Sequence, residues 1–128
     1  MDLLIEIPRK EPLDDYLQCA ANLLTRFEEF KRDFTVQLHD DYCFYKQLDI
    51  EAGGLTEGDY KEYLPVTKPS DVWNVLTPYR LWLGHNIDKE HGNAHVLIDV
   101  YWPNPHFFQV FMQLTPNSWQ HMHTELVG

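Results

Sequence analysis

HVLIDVYWPNPHFFQVFMQL, residues 95–114, carries two apolar runs on either side of Pro103-Asn104-Pro105. Side chains of a strand alternate between faces, so the first run puts Val96, Ile98, Val100 and Trp102 on one face. His95, Leu97, Asp99 and Tyr101 take the other. A three-residue connection at 103–105 predicts Trp102 opposite His106, Val100 opposite Phe108, Ile98 opposite Val110 and Val96 opposite Met112. Every apolar residue then falls on one face, and a slip of one residue would destroy that agreement. Tyr79–Ile87 supplies a preceding strand of the same meander. For Leu81 and Leu83 to join the apolar face, the chain between the strands must hold an even number of residues. His85 is then expected toward the core and His95 on the opposite, exposed side.

Working back toward the N-terminus, Leu13, Tyr16, Leu17, Ala20, Ala21, Leu24, Phe27, Phe30 and Phe34 recur at three- and four-residue steps. They predict a long amphipathic helix from about Leu13 to Asp33, with Asp14 and Asp15 in the first turn, where the helix dipole favours acids. DLLIEI (2–7) before it is a short strand or a late-pairing tail. FTVQL (34–38) and YCFYKQL (42–48) have strand-type composition and predict a hairpin about His39-Asp40-Asp41. Thr56 and Asp59 stand at capping-box spacing and should open a short helix through Leu64. Ser70 should cap a second one carrying Val72, Trp73 and Leu76, stopped by Pro78. After Leu114, Thr115-Pro116-Asn117 either returns a fourth strand or caps a short helix burying Trp119, Met122 and Leu126; the helix is preferred. The sum is one α+β domain over residues 1–128: a long N-terminal helix packed on an antiparallel sheet, a C-terminal β-meander, and two short helices between.

The hydrophobic fraction of 44%, with 7 Phe, 7 Tyr and 4 Trp among 128 residues, suffices for a packed core and argues against disorder. Cys19 and Cys43 make no disulfide framework. MDLLIEIPRKEP has acids within its apolar run and bases after it, the reverse of a signal peptide, and no window approaches the length of a membrane span. A cytoplasmic, soluble protein with no membrane partner is expected. Twenty acids against ten bases give a net charge of −10, which disfavours nucleic acid and favours encounter with a basic protein.

Chemistry-bearing residues are sparse. GHNIDKEHGNAH (84–95) has three histidines, but Glu90-His91 with His95 would need a helix that Gly92 denies. His121 and His123 are the better pair, since i and i+2 share a strand face. A metal-dependent hydrolase would draw on His91, His95, His121 and His123, with Glu90, Asp99 or Glu125 as acid partner. Neither serine stands out as a nucleophile, neither cysteine lies in a recognisable Cys-His motif, and no phosphate-cradling glycine pattern occurs. Hence no catalytic residue and no cofactor is expected.

Interface signals are clearer. Leu97, Tyr101, Phe107 and Phe111 lie among His95, Asp99, Gln109 and Gln113 on the second meander face, a mixed surface suited to a protein partner. Asp40, Asp41 and Tyr42 fall at the supposed turn, and Glu57, Asp59, Tyr60, Glu62 and Tyr63 in one short helix, pairing carboxylates with aromatic anchors. Short, acidic, aromatic and lacking catalytic motifs, the chain resembles bacterial immunity proteins in general composition. That resemblance implies a toxin-neutralising protein that blocks a basic partner. The alternatives are the metal-dependent hydrolase and a subunit whose mixed sheet face makes a homodimer.

Overall fold

The computed structural model describes residues 1–6, 12–53, 56, 58–59, 66–84, 92–102 and 106–128. These form two helices, α1 (Leu13–Thr25) and α2 (Phe27–Glu51), a short 3-10 helix (Pro69–Asn74), and five strands. The strands are β1 (Asp2–Ile5), β2 (Leu76–Leu83), β3 (Ala94–Val100), β4 (His106–Leu114) and β5 (Trp119–Val127), in spatial order β1-β2-β3-β4-β5. All neighbours are antiparallel except β1, which runs parallel to β2 as an edge strand. The α+β class, a long helix in the N-terminal part packed on the sheet, and the C-terminal meander are therefore as expected.

The helical region departs from expectation in two ways. First, the helix breaks at Arg26 (φ −110°, ψ 31°). Thr25 Oγ1 donates back to Ala21 O at 2.6 Å, a bond that bends helices. The Arg26 side chain crosses to the sheet, 4.8 Å above the Trp119 ring and donating to Asn117 O. Second, residues 34–48 are not a hairpin but the body of α2, which extends about 37 Å at the usual helical rise. Phe30, Phe34, Leu38 and Tyr42 are buried at four-residue steps. They continue the stripe begun in α1, and their packing on the sheet overrides the strand propensity of Phe, Thr, Val and Tyr.

Both helices cover one face of the sheet, and a single core joins Leu23, Phe30 and Leu38 to Leu81, Val96, Ile98, Phe108 and Val110, all fully buried. The register of β3 on β4 differs from expectation by two residues: Val100 opposes His106, Ile98 opposes Phe108, Val96 opposes Val110 and Ala94 opposes Met112. A shift of two leaves every side chain on its expected face. It arises because β3 ends at Val100, where Tyr101 N donates to Val75 O at 2.7 Å, so the connection is longer than three residues. Trp102 leaves the sheet and packs 5.6 Å from the ring of Tyr42.

Leu81 opposes Val96 and Leu83 opposes Ala94, the expected shared face. His85 itself lies outside the described residues, as do Glu57, Tyr60, Glu62 and Tyr63 of the expected first short helix, Glu90 and His91. Its cap is described: Thr56 N donates to Asp59 Oδ2 at 2.7 Å and Asp59 N to Thr56 Oγ1 at 3.4 Å, the reciprocal pair the spacing predicts. The second short segment starts at Pro69 and is held by Asp71, which accepts from Thr67 and Lys68, rather than by Ser70. Leu76 and Pro78 belong to β2, with Pro78 at an irregularity of the ladder where its missing N–H is tolerated. Residues 119–127 are a strand, not the preferred helix. Among the described residues no helix is long and apolar enough to cross a membrane.

Candidate functional site

The register disposes the histidines separately. His95 lies on the face away from the helices, as expected, but it is buried (2% exposed) rather than solvated. It belongs to a cross-strand row: His95 sits edge-on to Trp82 at 5.2 Å and to Phe111 at 5.3 Å, and Phe111 stacks on His123 at 6.0 Å. Each of these is a direct register pair, so four strands present one continuous row of rings. On β5 the ladder slips between Phe111 and Met112, so that Phe111 pairs with His123 and Met112 with His121. Met122 is the extra residue of that bulge. It turns His121 toward the helices and leaves His123 on the opposite face, so the i, i+2 pair does not share a side. Among the described residues no group of three or more His, Cys, Asp and Glu is placed to hold a metal ion.

Among the described residues, His121 has well-defined surroundings on the helix side of the sheet. It packs edge-on to Phe34 at 5.9 Å, its Nε2 lies 2.7 Å from Thr124 Oγ1, and Asp41 Oδ2 on α2 stands 3.9 Å away. Burial holds its pKa below the ordinary imidazole value, against the opposing pull of Asp41 and with a small contribution from His123. A histidine whose folded pKa is depressed binds fewer protons than in the unfolded chain. Its contribution to stability is present above the ordinary value of about 6.5 and is lost as pH falls below it. Urea unfolding at pH 7.5 and pH 5.5 should therefore show a smaller acid-induced loss in His121→Gln than in the wild type. Equal losses in the two proteins would remove this role from His121.

The expected interface residues scatter. Tyr42 is buried against Trp102, and Asp41 turns inward to His121 while accepting from Gln37 Nε2 at 2.9 Å. Leu97 and Phe111 are buried, Phe107 is half-buried, and Tyr101 is exposed. Asp59 spends its carboxylate on Thr56, whose hydrogen bonds hold its pKa below the usual carboxylate value. Asp40 alone of the His39-Asp40-Asp41-Tyr42 group projects fully outward.

What the structure brings together instead is a ridge on the outer side of α2. Val36 (61% exposed), Asp40, Phe44 (59%) and Leu48 (46%) follow one another at four-residue steps. Residues so spaced form a continuous helix ridge, here about 18 Å long. Phe44 is steadied from behind by an edge contact with Tyr45 at 5.2 Å, and Tyr45 in turn donates its hydroxyl to Thr124 O at 3.1 Å. Exposed charges border the ridge: Arg32 one step before Val36, Asp40 within it and Glu51 beyond it, while Asp33 turns to the sheet and accepts from Trp119 Nε1 at 2.9 Å. Only a helical reading of residues 34–48 reveals this arrangement. Comparison with known proteins finds no matching family model, no matching curated protein and no matching solved structure.

Proposed function

We propose that the chain is an acidic protein-binding protein that engages a basic partner along the outer ridge of α2. The observation that carries this is the ridge itself: three large apolar side chains exposed in line on a rigid helix, with Asp40 set among them. An amphipathic helix laid in a partner's groove is anchored by such side chains at helical spacing. The anchor is Phe44, whose ring is already oriented by Tyr45 and loses little freedom on docking. The carboxylates select the sign of the partner, and a chain of net charge −10 steers a basic surface toward itself. A second copy of the chain would instead bring the same acids together. Blocking of a basic toxin surface, as immunity proteins do, is the specific form of this activity that the composition favours.

The test is a paired capture from the source cell with the wild type and Phe44→Asp as baits. A partner retained by the first and lost by the second is expected, followed by surface plasmon resonance on that partner. Phe44→Ala should then weaken binding by about 2 kcal/mol, about thirty-fold in Kd, through faster dissociation. Asp40→Asn should slow association, and added salt should slow it further. A partner held equally by both baits would overturn the assignment to this ridge.

A further inference from the structure

We infer that Cys43 is a reactive surface thiol, activated by His39, that exchanges with small disulfides such as glutathione disulfide. Cys43 is exposed on α2, and its Sγ lies 3.6 Å from Nε2 of His39 one helical turn earlier. The other ring nitrogen of His39, Nδ1, faces Asp40 Oδ1 at 3.9 Å. Carboxylate, imidazole and thiol thus stand in the order of orienter, base and nucleophile, each ring nitrogen facing a different partner. At 3.9 Å Asp40 lies beyond hydrogen-bond reach of Nδ1 and faces the ring only as a nearby charge. All three residues lie within five positions of one helix, so the spacing is fixed by the backbone and needs no loop to close.

The exchange balances without any further reactant. His39 Nε2 takes the thiol proton, and the Cys43 thiolate attacks one sulfur of the disulfide. A new S–S bond forms as the old one breaks, and the departing glutathione thiolate recovers the proton from His39. The protein also carries its own reference thiol. Cys19 is buried in α1, its Sγ directed at Leu114 O at 3.8 Å, and burial together with Asp15 raises its pKa. A buried thiol of that kind is inert. Cys43 lies beside Phe44 and one turn from Asp40 on the outer side of α2. A glutathione adduct there would obstruct the ridge; that consequence rests on the docking proposal, whereas the thiol chemistry does not.

The experiment uses the reduced full chain with millimolar glutathione disulfide, following adducts on both cysteines by peptide mapping and mass spectrometry. Cys43 should be modified at least about ten-fold faster than Cys19, and His39→Gln should slow it at least about ten-fold, less than a closely hydrogen-bonded general base contributes. Asp40→Asn should slow it less. The wild-type rate should also persist to lower pH than that of His39→Gln, which a merely structural effect of the substitution would not produce. Superimposable pH profiles, or equal rates at Cys43 and Cys19, would overturn the inference. Because no partner is needed, the outcome is independent of whether the ridge binds one.

Discussion

Phe30→Ala is expected to lower the stability of the fold by about 3–5 kcal/mol, the range for removing a buried phenylalanine. Phe30 is completely buried at the start of α2, its ring 5.5 Å from Phe27, 4.4 Å from Phe34 and 6.0 Å from Trp119. It therefore joins the turn after the Arg26 break to the rest of α2 and to β5. Truncation removes apolar area from the core and leaves a space that the two helices and the sheet must collapse to fill. Against a usual total of about 5–15 kcal/mol, such a loss would leave a marginal protein. Phe44→Ala is the matched control, the same substitution on the same helix at an exposed position, and should cost within about 0.5 kcal/mol. Urea unfolding of both variants measures the contrast. If the two lose equal stability, the division of α2 into a packed side and an open side is wrong.

That division was hidden from the sequence for a definite reason. FTVQL and YCFYKQL are rich in β-branched and aromatic residues, and read alone they favour strands. Read with Phe30, however, Phe34, Leu38 and Tyr42 extend the four-residue steps of the preceding helix, and the packing of that stripe decides the outcome. The misreading also hid the site. Val36, Asp40, Phe44 and Leu48 form a ridge only on a helix, and His39 reaches Cys43 only at helical i, i+4 spacing. The meander was more legible because a period of two fixes faces even when register is wrong. The two-residue shift of β3 on β4 moved no side chain across the sheet. The bulge at Met122 had no such protection: one extra residue reversed the faces of His121 relative to His123, and nothing in WQHMHTELV announces it.

Gly92→Ala should cost about 2–4 kcal/mol, although it adds only a methyl group. Gly92, just before Asn93, holds a positive φ of 92°. For an L-residue that conformation alone costs about 1–2 kcal/mol. The surroundings add to it, because a Cβ at this position would overlap the carbonyl oxygen and carbon of Met112 and come within 2.9 Å of Gln113 N. These are backbone atoms of a central strand, which cannot step aside as a side chain could. The same stretch is tied on both sides: Asn93 N donates to Met112 O at 3.1 Å, and Gly84 N to Asn93 O at 2.8 Å. The Asn93 side chain further bridges Leu114, accepting from its N at 2.8 Å and donating to its O at 2.9 Å. Gly53 provides the comparison, with φ of 79° and nothing within 4 Å of an added Cβ. Gly53→Ala should therefore cost only the conformational part, about 1–2 kcal/mol. The difference between the two variants in chemical denaturation isolates the overlap with β4, and equal costs would show that the end of the β2–β3 connection does not press on that strand.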